Sequence, residues 1–293
     1  MLRRETSGAF TMANDVAGAE RLTARTRLDQ RSIDLRRLVV RALDGGGRGH
    51  VGSSLSLIEI MRVLYDDILD YRADDPEWPE RDRCILSKGH GCIAQYVLLA
   101  EKGFFPLDVL DTFCRRDSIL GGHPEIKVPG VEASTGALGH GLPVGVGRAM
   151  GLRIKGSKAR VFVITGDGEI NEGSVWEAAL SASKHRLSNL TLLIDYNKIQ
   201  SAGLVADILP LEPLADKWRA FGFGVAEVDG HNVSELRRVL NRLPLEADRP
   251  STIICHTVKG KGFSFAENQS SWHHKSTLKK EAIAEMYSAL EAL

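Results

Sequence analysis

Apolar residues along this chain gather in short dense runs, separated by stretches where they recur every three or four positions. Val161–Thr165, Leu190–Ile194, Gly224–Val228 and Thr252–His256 are such runs, and Arg83–Leu86 is a shorter one. Each is too short for a helix and rich in buried-type side chains, which predicts strands covered on both faces. The intervening spacing predicts helices. Residues 19–43 form one, with Leu35, Leu38, Val39, Ala42 and Leu43 as its apolar stripe. A second carries Leu57, Ile60, Met61 and Leu64, with Ser54 or Ser56 as its cap. Further helices are expected over 93–102, 107–115, 139–155, 172–184, 213–221 and 235–242, the last capped by Ser234. A terminal amphipathic helix follows Thr277. Strands alternating with helices define an α/β fold, with a doubly wound, mostly parallel sheet and helices on both faces.

The 293 residues allow one large α/β domain or two small ones. Residues 1–18 are small and polar and are expected to form a flexible leader. They lack the apolar segment of a signal peptide, and no run of about eighteen apolar residues predicts a membrane span. Lys and Arg number 38, as do Asp and Glu, so no long-range field favours nucleic acid or an anionic membrane. Cys84, Cys92, Cys114 and Cys255 show no zinc spacing, and free thiols suit a reducing, cytoplasmic setting.

The most informative stretch is ARVFVITGDGEINEGSVWEAALSASKHRLSNLTLLIDYNKIQ, 159–200. Strand, helix and strand at this length make a βαβ unit with parallel neighbouring strands. Asp167 and Asn197 then share the carboxyl edge of the sheet, where open α/β sheets bind ligands. A carboxylate and an amide oxygen are hard donors that suit Mg²⁺ or Ca²⁺. The Ile199 carbonyl is a candidate third ligand. Gly166 and Gly168 allow a diphosphate close to the main chain, beside the amides that open the next helix. Alternatively, GDG is only a turn and Asn197 only a loop residue. The matched second strand favours the metal reading.

GDG followed by an Asn after the next strand is the thiamine diphosphate and magnesium motif, and GDGEINEGSVWEA resembles the transketolase family. GHVGSSLS at 49–56, LSKGHG at 86–91, GGHPE at 121–125 and TGALGHGLPVGVG at 135–147 are similar to transketolase motifs, in transketolase order. The resemblance covers most of residues 30–280. One departure is Tyr196, where the commonest form of the motif has a second Asn. The resemblance implies that residues 19–293 are a single thiamine diphosphate-binding domain of the PP type. It also implies a transferase that moves a two-carbon ketol unit from a ketose to an aldose.

His50, His90, His123 and His140 sit beside glycines at predicted strand-to-helix turns, and His273 lies in a late loop. Imidazoles hold hydroxyls and diphosphate oxygens and move protons near neutral pH. By resemblance, His50 and His273 face the substrate hydroxyl that is deprotonated, and His123 faces the donor's C1 hydroxyl. His90 and His273 lie toward the diphosphate, Gly136 and Leu138 offer backbone contacts to the cofactor, and His140 is a further cofactor candidate. Glu172 and Glu177 match acids near the cofactor-holding interface. Their plain reading is exposed helix residues favoured by the dipole. Lys259 and Lys261 could contact phosphate, but a solvated basic loop is the expected account. His231 is expected to be structural, and His185 and His256 show no functional pattern.

The resemblance stops at the diphosphate-binding half. The glutamate that activates the cofactor, the aromatic pyrimidine pocket and most sugar-phosphate contacts belong to the pyrimidine domain, which follows in full-length transketolases. The chain therefore reads as one subunit of a split enzyme, paired with a C-terminal pyrimidine-domain subunit in an α₂β₂ assembly and acting on sugars or sugar phosphates. Alternatives are a component of a deoxyxylulose-phosphate synthase-like or E1-like enzyme, or a non-catalytic cofactor-binding module. The histidine set and the NEG after GDGEI favour ketol transfer.

Overall fold

A computed structural model of the chain describes residues 26–293. The expected leader and the first part of the expected helix over 19–43 lie outside the described residues. Helix α1 spans Gln30–Gly46 and carries the whole apolar stripe, and its first turn is capped by the Asp29 carboxylate, which accepts from Ser32 N. Helices α2, Val51–Leu55, and α3, Ile58–Val63, follow. Strand β1, Arg83–Leu86, leads to α4, Cys92–Glu101. Helix α5, Gly141–Ile154, precedes β2, Val161–Gly166, then α6, Gly173–Lys184, and β3, Leu190–Tyr196. After the short α7, Val205–Ile208, come α8, Leu214–Ala220, and β4, Gly224–Asp229. Helix α9, Val233–Leu240, β5, Ser251–His256, and α10, Lys280–Glu291, complete the fold.

The five strands form one fully parallel sheet in the order β1-β2-β3-β5-β4. Every residue of β1, β2, β3 and β5 is buried, which explains their uninterrupted apolar runs. Side-chain alternation divides the core in two. Phe162, Ile164 and Leu193 face one layer with α1, α3, α4 and α10, while Val161, Val163, Leu192 and Ile194 face the other with α5, α6 and α8. Each fully buried Val, Leu, Ile or Phe contributes roughly 1.5–3 kcal/mol. Helix α5 approaches the sheet closely at Gly145, where a Cβ would lie 2.4 Å from Val163 Cγ2.

Several expected caps are corrected, one of them by a tertiary contact. Ser54 lies inside α2 and donates back to His50 O at 2.9 Å, while Ser56 donates to Asp195 Oδ2 at 2.6 Å. Asn232, not Ser234, caps α9 through Glu235 N at 3.1 Å. Lys279, not Thr277, precedes α10, with no side-chain cap. The expected solvated loop at Lys259–Lys261 is also overturned, since both lysines are buried. Gly260 N donates to Gly52 O and Arg36 Nε to Lys261 O, pulling that loop beneath α1 and α2.

Candidate active site

The parallel register places Gly166 beside Asp195, so β2 and β3 deliver Asp167 and Asn197 to one edge. The two tips are joined directly, because Lys198 N donates to Asp167 Oδ2 at 2.5 Å and Gly168 N to Oδ1 at 2.7 Å. Burial, with the nearby Asp195 charge, pushes the Asp167 carboxyl up to about 6. Asn197 turns its Oδ1 to Ile199 N at 3.2 Å and its Nδ2 to Asp195 at 3.3 Å. The Ile199 carbonyl accepts from Lys259 Nζ at 2.6 Å. Burial, with the Lys88 charge beside it, brings the Lys259 amine down to about 8.

Among the described residues no three His, Cys, Asp or Glu side chains gather as a metal cluster. Asp167, Asn197 and the Ile199 carbonyl instead offer a carboxylate, an amide and a carbonyl, a sparse oxygen set of the kind Mg²⁺ completes with water and phosphate. They open into a cavity of about 410 Å³, together with Gly166, Gly168, Gly136, Leu138, Glu172, His50, His90, His123 and His273. Ser53 Oγ, Gln200 Nε2 and His273 Nδ1 line that cavity, buried and without protein partners. Buried polar atoms are rarely left so. Lys88 and Lys259 in the cavity wall, with these orphaned polar atoms, fit a diphosphate with its metal, although the Gly166 and Gly168 amides are already taken by Glu169 and Asp167.

Four of the five histidines singled out in the sequence converge, and His140 does not. His50 is central, with ring centroids 5.4 Å from His90, 5.8 Å from His123 and 5.6 Å from His273. The cause is a two-residue bridge. Gly49 N donates to Lys275 O at 3.0 Å and Lys275 N to Gly49 O at 2.9 Å, which fastens the late loop beside the early one. Burial and neighbouring charges favour neutral rings, bringing His50 down to about 4 and His273 to about 3 and also lowering His90 and His123. Neutral imidazoles near neutral pH can accept a proton from a hydroxyl. Gly136 is required beside His123, since its φ is +141° and a Cβ would lie 2.9 Å from the ring.

Not every expected residue lines the cavity. His140 is exposed at the start of α5, with Nδ1 3.0 Å from Leu138 O, and Glu177 is exposed on α6. His231 is structural as expected. Its Nε2 accepts from Val258 N at 2.9 Å, so the proton sits on Nδ1 and is donated to Glu59 at 2.7 Å. Sequence reasoning passed over Ser53, Lys88, Glu169, Asp195, Gln200 and His274, and discounted Lys259. Lys88 stands inside LSKGHG, the signal that could have found it. His274 lies 4.5 Å from the His50 ring. Glu169 accepts from Ser87 Oγ at 2.5 Å, Gly139 N at 2.9 Å and Gly166 N at 3.1 Å, tying three loops of the site together.

Oxygen ligands at adjoining tips of a parallel sheet, orphaned polar atoms and converging imidazoles define the class as a metal- and diphosphate-binding enzyme domain. Residues 28–291 match the family model for "Transketolase, thiamine diphosphate binding domain". The chain belongs to the transketolase family, within its thiamine diphosphate-binding domain, and thiamine diphosphate with a divalent metal is its cofactor. It is 46% identical over 241 residues to one of the subunits of the apulose-4-phosphate transketolase of Actinobacillus succinogenes, covering 82% of this chain and 87% of that one. It is 41% identical over 256 residues to the 6-deoxy-6-sulfo-D-fructose transketolase subunit SqwG of a Clostridium species, covering 86% and 93%. The crystal structure of Campylobacter jejuni transketolase superposes with a TM-score of 0.82 at 29% identity, covering 90% of this chain and 43% of that one. The chain therefore spans less than half the length of that transketolase, but most of the length of the two relatives that are themselves single subunits.

Proposed function

We propose that this chain is the diphosphate- and metal-binding subunit of a heteromeric transketolase, completed by a separate pyrimidine-domain subunit in an α₂β₂ assembly. The observation that carries this reading is the meeting of Asp167, Asn197 and Ile199 with His50, His90, His123 and His273 around one cavity. Asp167, Asn197 and the Ile199 carbonyl would hold the metal. Ser53, His90 and Lys259 would hold the diphosphate, while the Gly168 amide stays on Asp167. When bound, thiamine diphosphate supplies the nucleophilic carbon that takes up the two-carbon unit.

The chain's own residues would orient the sugar and move its protons. His123 holds the donor's C1 hydroxyl. His50 and His273 stand on either side of the hydroxyl at C3, and one of the two accepts its proton as the C2–C3 bond breaks. The same ring returns the proton when the acceptor aldehyde is joined. Neutral rings are required for the first step, and burial supplies them. Glu172, at the mouth of the cavity, and Glu177, on the outer side of α6, face the expected subunit boundary.

The test is an assay of this chain mixed with a pyrimidine-domain subunit, thiamine diphosphate and Mg²⁺. The ketose donors are pentose phosphates, apulose 4-phosphate and 6-deoxy-6-sulfo-D-fructose, since relatives carry the latter two in their names. Two-carbon transfer by the mixture, and by neither component on its own, supports the reading. Transfer by this chain without a partner overturns the split assignment. Tight cofactor binding without transfer by any mixture would favour the non-catalytic module.

A further inference from the structure

Two carboxylates stand at the adjoining strand tips, and their surroundings differ. Asp167 accepts two backbone amides, one on each oxygen, which leaves lone pairs free on both. Asp195 is fully enclosed. Its Oδ2 accepts from Lys88 Nζ, from Ser56 Oγ at 2.6 Å and from Asn197 Nδ2 at 3.3 Å, and its Oδ1 accepts from Thr257 Oγ1. Four donors from four separate segments leave no room on it for a cation.

From this geometry we infer that Asp195 is a positioning residue for the metal site, fixing which end of the Asn197 side chain faces the cation. This rests on the reading of Asp167, Asn197 and Ile199 as that site. A carboxylate can only accept hydrogen bonds, so the Asn197 NH₂ must turn toward it. The carbonyl oxygen is then forced to the opposite side, where it accepts from Ile199 N. The reversed amide would set its N–H donors against the Ile199 N–H and the cation, and would leave no donor toward Asp195. Amide orientation is usually settled by such networks. Here the enclosed Asp195 carboxylate settles it, held in place by Lys88 Nζ, Ser56 Oγ and Thr257 Oγ1.

The experiment separates this role from simple charge balance. Removing either partner alone would strand the other, so Lys88→Met/Asp195→Asn, which keeps a neutral acceptor beside Asn197, is compared with the apolar double variant Lys88→Met/Asp195→Leu. Each full chain is titrated with Mg²⁺ at saturating thiamine diphosphate, following tryptophan fluorescence or heat of binding. The expected result is a Mg²⁺ half-saturation at least 10-fold higher in the apolar double variant than in Lys88→Met/Asp195→Asn. Full amplitude should return at high Mg²⁺, and melting temperatures should be similar. Equal Mg²⁺ requirements would overturn the inference and leave Asp195 as the lysine's counter-ion alone. Should the apolar double variant not fold, hydrogen exchange of the Asn197 side-chain amide in the native chain serves instead. Slow exchange is expected, and exchange as fast as an exposed amide overturns the inference. Asp167→Ala tests the underlying site separately, because Mg²⁺-dependent binding that survives it defeats the metal assignment itself.

Discussion

Ser87 Oγ donates to Glu169 Oε1 across 2.5 Å, and through that bond the loop after β1 is fastened to the turn after β2. The same carboxylate also accepts Gly139 N and Gly166 N. One buried side chain therefore sets the spacing of three motifs that sequence order keeps far apart. Burial raises the Glu169 carboxyl, while its three donors act in the opposite direction.

Glu169→Ala would leave two buried amides and a hydroxyl without acceptors. Each orphaned group costs about 1–3 kcal/mol, so a loss of roughly 3 kcal/mol or more is expected. Glu169→Gln retains an acceptor and should lose less. Urea unfolding of the two variants measures the difference.

Strand ends and the Asp167–Asn197 pair were legible because they depend on local pattern and a fixed βαβ length. Asp195 was not. It reads as the last polar residue of a strand, and its partners Ser56, Lys88 and Thr257 lie 139, 107 and 62 residues away. Lys259 was misread for a similar reason. KGKG has the composition of a solvated loop, and only the Ile199 carbonyl and the Gly52 backbone explain its burial. Ser56 had the right type and place for a cap, but a buried carboxylate across the fold claims its hydroxyl.

The Arg36–Glu59–His231 cluster is enclosed on all sides, with Arg36 Nη1 2.6 Å from Glu59 Oε1. Burial alone would raise the Glu59 carboxyl, but Arg36 and His231 hold it well below the usual range. Glu59→Ala strands a buried guanidinium and should cost about 3–5 kcal/mol. Chemical denaturation checks this, and a loss below about 1 kcal/mol would contradict the described packing.

The lowered histidines predict acid sensitivity in the chain free of metal and cofactor. His50 at about 4 and His273 at about 3 stay neutral when folded, but take up protons near 6.5 when unfolded. The unfolded state therefore binds more protons in this window, and stability falls as pH drops below about 6.5. Asp167, raised to about 6, and Glu169, also raised by burial, act the opposite way, but they are outnumbered once His90 and His123 are included. Melting temperature should decline between pH 7 and pH 5, and less steeply in His273→Asn.

Gly136→Ala forces a side chain against the His123 ring at a backbone angle that L residues rarely adopt. Displacing a catalytic group by about 1 Å costs about 100-fold in rate. In the reconstituted enzyme kcat/KM should fall by about that factor, and a variant with unchanged kinetics would remove His123 from the donor site.

The central claim is that the tips of β2 and β3 hold a metal-bound diphosphate. Crystals of the chain grown with thiamine diphosphate and Mn²⁺ test it most directly, through the anomalous signal of the metal. The account predicts one strong peak about 2.0–2.3 Å from Asp167, the Asn197 Oδ1 and the Ile199 carbonyl, with phosphate oxygens completing the shell. A peak elsewhere, or bound cofactor with no metal between those three oxygens, would contradict it.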